Sequence, residues 1–222
     1  MMTGKKVYLL LGMLLSGALT SIAQVKTTLS AEVYGYRRDM VYFDCVQSPF
    51  YNAEFHTNPG DEHLYSFQTQ TPVCMLINGQ ADVLLLPGDS IHAVVRYDEK
   101  RLSEVTFGGS PRAVAANRLL RSIVELKQQM RYKNQLLACI VVDVKPQQRI
   151  EDSRQLLAKV QQMVEKEKQA LTPTAADYIL AGAEAAAYTS YMEYPQMYAE
   201  TRKTPVKEQG IGDYWKLMDG VK

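Results

Sequence analysis

ADVLLLPGDSIHAVVRYDEKRLSEVTFGGSPRAVAANRLL, residues 81–120, contains the change of pattern that decides the fold. Before Ser110, apolar residues such as Ile91 and Ala93 alternate with polar ones, and this period of two indicates β-strands. After Pro111 the apolar residues recur at helical spacing, and a Ser followed by Pro is a typical helix start. The sequence therefore predicts a β region that ends near residue 110 and a helical region that follows it.

Turn residues divide the β region into short strands. Asn78-Gly79 fits a two-residue type I′ turn, because both residues tolerate a positive φ, and Pro87-Gly88 fits a type II turn. The segment around Gly35 is expected to join the first two strands as a hairpin, and 48–62 has the composition of a loop. Later strands are expected at 64–70, 73–77, 81–86, 91–97 and 102–107. This pattern predicts an antiparallel β-sandwich or barrel.

The helical region is expected to contain three helices. The first is predicted from residue 111 to about 143, the second after Pro146, and the third from Pro173 to about 191. Ser110 and Thr172 are the predicted N-caps. Pro195 predicts irregular chain from 194 to 212.

The predicted fold class is thus α+β, with an N-terminal antiparallel β domain followed by a three-helix segment. We expect four parts along the chain: a signal peptide at 1–23, the β domain at 24–110, the helical domain at 111–202, and a tail at 203–222. The apolar residues near Trp215 suggest that this tail packs back on the helices or begins a missing domain.

The first residues have the order of an export signal. Lys5 and Lys6 precede the apolar stretch 7–22, and the small residues Ser21 and Ala23 predict cleavage before Gln24. The alternative is an uncleaved anchor, although the stretch is shorter than the roughly 20 residues that a spanning helix needs. The sequence predicts an exported protein with no membrane span after cleavage.

Charge and composition exclude one class of partner. Cleavage would remove two lysines and leave 199 residues, so the formal net charge would change from +1 to −1. A chain so close to neutral lacks the basic surface that nucleic acid requires. We therefore expect no nucleic-acid partner.

Three cysteines, Cys45, Cys74 and Cys139, lie in the predicted mature part. An exported protein can form disulfides, and Cys45 with Cys74 is the expected pair because both lie in strand-like segments. The alternative is that all three are buried free thiols that act as small apolar side chains. No Cys-x-x-Cys sequence is present.

The sequence contains no recognisable catalytic, cofactor or metal motif. The three histidines, His56, His63 and His92, have neither the mutual spacing nor the neighbours of zinc ligands. Gly108-Gly109-Ser110 superficially resembles a phosphate-binding turn, but the lysine of a P-loop is missing, so a plain turn from strand to helix is expected. We predict no catalytic residues, no cofactor and no metal.

Tyrosines are concentrated in or near the β region. A set of exposed tyrosines could bind a sugar, a peptide or another protein through rigid rings. The alternative is that they fill the edge and core of the sheets, since aromatic residues favour strands. The candidate binding residues are Tyr34, Tyr36, Tyr42, Tyr65 and Tyr97.

One stretch resembles a known family. Residues 85–91, LLPGDSI, then 107–110, FGGS, and a helix with ANRLL at 116–120 are similar to the accessory N-terminal region of secreted TlpA-like thiol-disulfide oxidoreductases. The resemblance covers about residues 25–200 and implies a small β domain with helices, in the periplasm or envelope of a Gram-negative bacterium or secreted from it. The family's Cys-x-x-Cys belongs to a downstream thioredoxin-like domain that this sequence lacks, so no catalytic residue is carried over.

Three functional hypotheses remain from the sequence. The first is an exported, non-catalytic accessory module that holds a partner protein, either a thioredoxin-like domain or another envelope protein. The second is a redox protein that works through one reactive cysteine. The third is a glycan- or peptide-binding β module that uses the tyrosines.

Overall fold

A computed structural model describes residues 25–36, 40–56, 61–133 and 144–219. These ranges contain eight strands followed by three α-helices, which confirms the α+β fold expected from the sequence. The predicted signal segment and Cys139 lie outside the described residues. The strands are β1 (Lys26–Tyr34), β2 (Met40–Cys45), β3 (Ala53–His56), β4 (Glu62–Gln68), β5 (Val73–Ile77), β6 (Ala81–Leu85), β7 (Ser90–Asp98) and β8 (Arg101–Gly109). The helices are α1 (Pro111–Gln129), α2 (Pro146–Glu167) and α3 (Pro173–Arg202), and short 3₁₀ turns occupy Pro49–Tyr51, Val206–Glu208 and Tyr214–Met218.

The strands form two four-stranded sheets that pack as a sandwich. The first sheet has the order β4-β1-β7-β8 and the second the order β3-β2-β5-β6. Every neighbouring pair is antiparallel except β1 and β7, which run parallel with Leu29 opposite Ile91. The predicted sandwich is therefore correct, with one parallel pair at the centre of the first sheet.

The predicted hairpin between the first two strands is wrong. β1 pairs with β4 and β7, whereas β2 pairs with β3 and β5, so the chain passes from one sheet to the other after Gly35. Gly35 has φ +74°, and a Cβ there would lie 2.2 Å from the carbonyl oxygen of Tyr97. The segment predicted as a loop also contains the short strand β3.

The sandwich core lies between the two inner faces. Its buried members recur at every second position of a strand, as Leu29, Ala31 and Val33 do on β1. The hydroxyl of Tyr97 on β7 donates a hydrogen bond to the carbonyl of Ile77 on β5, at 3.1 Å. This bond connects the two sheets inside the core.

The two predicted turns are confirmed. Asn78 and Gly79 have φ of +51° and +68°, as a type I′ turn requires, and Gly88 has φ +84° in the turn before β7. Asp89 fixes the second turn, because its Oδ2 accepts a hydrogen bond from the Leu86 amide at 2.9 Å.

The helices build a second core against β6 of the second sheet, and α1 also packs on β8 of the first sheet. Leu84, which points outward from β6, is buried in a cluster with Ile123 on α1, Leu156 on α2 and Ile179 on α3. The helices therefore cover the outer face of the second sheet around Leu84, whereas Glu54 and His56 on β3 remain exposed.

Three helix details differ from the sequence prediction. α1 ends at Gln129 rather than near 143, because Arg131 takes φ +55° and the Tyr132 amide turns back to the Lys127 carbonyl at 2.8 Å. α3 continues through Pro195 to Arg202, with Pro195 itself buried. Ser110 does not cap α1 with its side chain.

The N-caps of α1 and α3 use their side chains differently. The Oγ of Ser110 accepts from the Ser90 amide at 3.2 Å, so it joins α1 to the start of β7. Thr172 caps α3 as predicted, because its Oγ1 accepts from the Ala175 amide at 3.1 Å.

Candidate functional site

The outer face of the first sheet presents a group of polar side chains. β1, β4 and β7 turn alternate residues outward, and their register places these residues in adjacent rows. In one row Leu64, Ser30 and His92 are neighbours, and in the next Glu62 lies opposite Glu32. We call this surface the outer face; it consists of Ser30, Glu32, Tyr34, Glu62, Leu64, His92, Arg96 and Glu104.

His92 is the centre of this group. Its Nδ1 lies 2.8 Å from the Ser30 Oγ and 3.4 Å from a Glu62 carboxylate oxygen, and its Nε2 lies 3.4 Å from a Glu32 carboxylate oxygen. The imidazole is about one-third exposed, whereas Ser30 beneath it is buried. The ring thus lies between two carboxylates that belong to different strands.

Tyr34 and Arg96 extend the group along β1 and β7. The Tyr34 hydroxyl donates to the second oxygen of Glu32 at 2.5 Å, and this hydrogen bond to a carboxylate raises the pKa of Tyr34 above its ordinary value. The guanidinium carbon of Arg96 lies 4.8 Å from the Tyr34 ring centre, and its Nε lies 3.6 Å from Glu104. Arg96 is therefore engaged with Glu104 and Tyr34.

A neutral imidazole does not satisfy both carboxylates. A carboxylate only accepts hydrogen bonds, and Glu32 and Glu62 approach different nitrogens of His92, of which a neutral ring protonates only one. With the proton on Nε2, Nδ1 would accept from the Ser30 hydroxyl, and serine, histidine and glutamate would have the order used in nucleophilic catalysis.

The second carboxylate argues against that chemistry. An attacking serine generates a negative oxygen, which needs hydrogen-bond donors around it. Glu62 instead places a negative charge 3.4 Å from the nitrogen that contacts Ser30. The arrangement is better suited to holding a cation than to stabilising an oxyanion.

No set of three or more metal-binding side chains occurs in the part of the chain that the structure describes. Glu32 and Glu62 approach different nitrogens of His92, so the three groups do not converge on one point.

The five candidate tyrosines do not form one surface. Tyr97 is buried in the sandwich core, and Tyr36 packs against it with the ring planes tilted by 51° and the ring centres 4.8 Å apart. Tyr65 packs on Phe67 at the inner face of β4, at 5.2 Å. Tyr34 belongs to the outer face of the first sheet.

The fifth tyrosine, Tyr42, lies on the second sheet. It occupies a half-buried position of β2, between the buried Val41 and Phe43. The five residues are thus distributed between the core and two different sheets, which does not support a single tyrosine-lined binding site.

The structure leaves Cys45 and Cys74 as free thiols. Cys45 lies directly opposite Met75 on the neighbouring strand, and Met75 points into the core. Cys74, one residue before Met75, therefore points to the other face of the sheet. A disulfide cannot form across the two faces without moving the backbone, so the expected pair is not made.

The surroundings of Cys74 make its thiol unreactive. Burial raises the pKa of Cys74 to about 12, and cysteine nucleophilicity depends on the thiolate. Gln47 lies beside it: its Oε1 accepts from the Cys74 amide at 3.0 Å, and its Nε2 donates to the Tyr178 hydroxyl at 2.9 Å. This contact joins the end of β2 to α3.

Sequence reasoning did not identify the outer face as a site. The alternation in β1 and β7 placed Ser30, Glu32 and His92 away from the core, and this signal was visible. What joins them is the parallel pairing of β1 with β7, which brings together positions about sixty residues apart.

Comparison with known proteins gives no relative for this chain: no family model matches it, and no curated protein or solved structure does. Within the described residues, none of the helices combines the length and the apolar character needed to cross a bilayer.

Proposed function

We propose that the protein is an exported, non-catalytic accessory module that binds a partner protein through the outer face of its first sheet. The observation that carries this proposal is the placement of Glu32 directly opposite Glu62, with His92 between them. Neither carboxylate forms an ion pair with a lysine or arginine in the part of the chain described. The partner is an envelope protein, and the family resemblance makes a thioredoxin-like domain the first candidate.

The charges of this site indicate the kind of segment it binds. Like charges that face each other across two strands cost about 0.2–1 kcal/mol, and a cation from a partner would remove that cost. Leu64 is 61% exposed in the adjacent row and offers apolar contact. A partner segment with a lysine or arginine next to an apolar residue is therefore the expected ligand.

The competing hypothesis of a redox enzyme has no support from Cys74. It needs an accessible thiolate, and burial raises the pKa of Cys74 far above neutral pH. We expect no reduction of insulin disulfides by the purified protein. Activity that disappears in Cys45→Ser or Cys74→Ser would favour the redox hypothesis instead.

Site-specific photo-crosslinking in the producing cells tests the proposed surface. A photoreactive amino acid in place of Leu64 should give a discrete crosslinked protein in the envelope fraction, and the same group at Lys159, exposed on α2, should not. Glu62→Lys should abolish the Leu64 crosslink. Equal crosslinks at both positions, or a Leu64 crosslink that survives Glu62→Lys, would contradict the proposal.

Export is tested separately by mass spectrometry of the N-terminus. Cleavage before Gln24 with recovery in the envelope or medium is expected. An intact N-terminus in the cytoplasmic fraction would overturn the exported part of the proposal.

A further inference from the structure

A depression lies on each side of the exposed crest of α1. One, of about 470 Å³, lies between α1 and the end of α2, and the other, of about 320 Å³, lies between α1 and β8. The exposed side chains of Arg118 and Ser122 line both depressions from the crest between them. We call the two depressions together the α1 groove.

The floor of the α1 groove is apolar. Leu119 and Phe107 are both more than nine-tenths buried, and Met163 is half-buried beside Leu119. A ligand that displaces water from an apolar floor of this kind is stabilised by the hydrophobic effect.

The walls of the α1 groove carry cations. Arg118 on α1 and Lys166 on α2 line its larger part from opposite sides, and neither forms an ion pair with another residue that the structure describes. Arg121 is paired with Glu125 at 3.5 Å, and Glu167 is the acidic residue of the lining. The two unpaired cations are available to a negatively charged ligand.

The shape of the groove favours one class of anionic ligand. The binding free energy of an alkyl chain is proportional to the apolar area that is removed from water. An open groove leaves much of such a chain exposed, so an alkyl chain would bind weakly there. A peptide has a polar backbone that tolerates exposure, and an Asp or Glu side chain can form a bidentate pair with an arginine. We propose that the α1 groove binds an acidic, extended segment of a partner protein, with a carboxylate on Arg118 and apolar side chains over Leu119 and Met163.

The groove is independent of the proposed function of the outer face. The two surfaces carry opposite charge and share no residue. A partner that engaged both would bring a basic segment to one and an acidic segment to the other.

The experiment uses the purified protein and two peptides of equal length, Ac-LELEL-NH₂ and Ac-LQLQL-NH₂. We expect the acidic peptide to shift the backbone amide NMR signals of Arg118, Ser122 and Lys166. The dissociation constant of the neutral peptide should be at least about tenfold higher, which corresponds to ~1.4 kcal/mol of binding free energy. Binding should weaken as salt screens the charges.

Two charge reversals on exposed positions provide the matched comparison. Arg118→Glu should raise the dissociation constant of Ac-LELEL-NH₂ about tenfold or more, whereas Lys159→Glu, outside the groove on α2, should leave it unchanged. Equal binding of the two peptides, or equal effects of the two substitutions, would overturn the proposal. Shifts of the same amides by decanoate, without shifts by the acidic peptide, would overturn it in favour of a lipid ligand.

Discussion

The side-chain amide of Asn117 completes the hydrogen bonding of Leu84. Its Oδ1 accepts from the Leu84 amide at 2.7 Å, and its Nδ2 donates to the Leu84 carbonyl at 2.8 Å. The same Nδ2 also reaches the Ala113 carbonyl one turn earlier in α1, at 2.9 Å. β6 is an edge strand of the second sheet, so no further strand of the described chain pairs with its free side. Asn117 makes the two hydrogen bonds to Leu84 that such a strand would make, and in this way it attaches α1 to the sheet.

Asn117→Leu should therefore destabilise the protein by about 2–4 kcal/mol, since two buried backbone groups lose their partners. Urea denaturation followed by circular dichroism measures this loss. Gln128→Leu, at an exposed position of the same helix, is the control and should change the free energy of unfolding by less than about 0.5 kcal/mol. A comparable effect of the two substitutions would contradict the bridging role of Asn117.

Gly108 and Gly109 are adjacent but should respond very differently to alanine. Gly109 has φ +113°, and a Cβ there would lie 2.2 Å from the Ser90 carbonyl oxygen. A Cβ on Gly108 would meet nothing within 4 Å. We expect Gly109→Ala to cost about 2 kcal/mol or more, because backbone must move, and Gly108→Ala to be neutral or slightly stabilising.

Thermal unfolding of the two glycine variants checks this prediction. The two glycines are adjacent, so the difference reports on the positive φ of Gly109 and on the close contact between β8 and β7 there. Equal melting temperatures would show that the contact at Gly109 does not constrain the fold.

The pH dependence of stability should be governed in part by His63. This side chain is 5% exposed, its Nε2 has no hydrogen-bond partner among the residues that the structure describes, and burial lowers its pKa below the ordinary value. As the pH falls below about 6.5, His63 takes up a proton in the unfolded state before it does so in the folded state. The free energy of unfolding is therefore expected to be higher above about pH 6.5 and to decrease below it.

Urea denaturation at pH 7.5 and pH 5 should show this loss in the wild-type protein. His63→Phe keeps a ring next to Phe55, whose centre is 5.3 Å away, and should reduce the difference between the two pH values. His56→Phe, at an exposed position, should not. An unchanged difference in His63→Phe would assign the pH dependence to other groups.

The local features of the fold were predictable because they depend on short stretches of sequence. Turn chemistry placed Gly79 and Gly88 correctly, and the change of period at Ser110 separated strands from helices. The prediction of irregular chain at Pro195 is wrong because the burial of neighbouring residues outweighs the free-energy cost of a proline inside a helix. Tyr191 and Tyr194, which lie beside it, are buried.

The candidate site was not predictable for a different reason. His92 meets Ser30 and Glu32 only through the parallel pairing of β1 with β7, and a period of two does not state which strands are neighbours. The same lack of pairing information produced the false hairpin after β1 and the expected link between Cys45 and Cys74.

Cys74 should resist alkylation in the folded protein. Because burial raises its pKa to about 12, very little of the Cys74 thiol is ionised at pH 8. Iodoacetamide at pH 8 should leave the peptide with Cys74 unmodified in the native state and modify it fully in urea. Rapid modification of native Cys74, measured by peptide mass spectrometry, would support the redox hypothesis.

The carboxylate pair at the candidate site should reduce stability in the absence of a partner. Glu32 and Glu62 face each other on adjacent strands, so Glu62→Gln should raise the free energy of unfolding by about 0.2–1 kcal/mol. Glu104→Gln on the same face removes a carboxylate that contacts Arg96 and should be neutral or slightly destabilising. The gain from Glu62→Gln should shrink in 1 M NaCl, because salt screens the repulsion. If Glu62→Gln destabilises the protein at low salt, the contact with His92 already compensates the two charges, and the argument for a cationic partner segment fails.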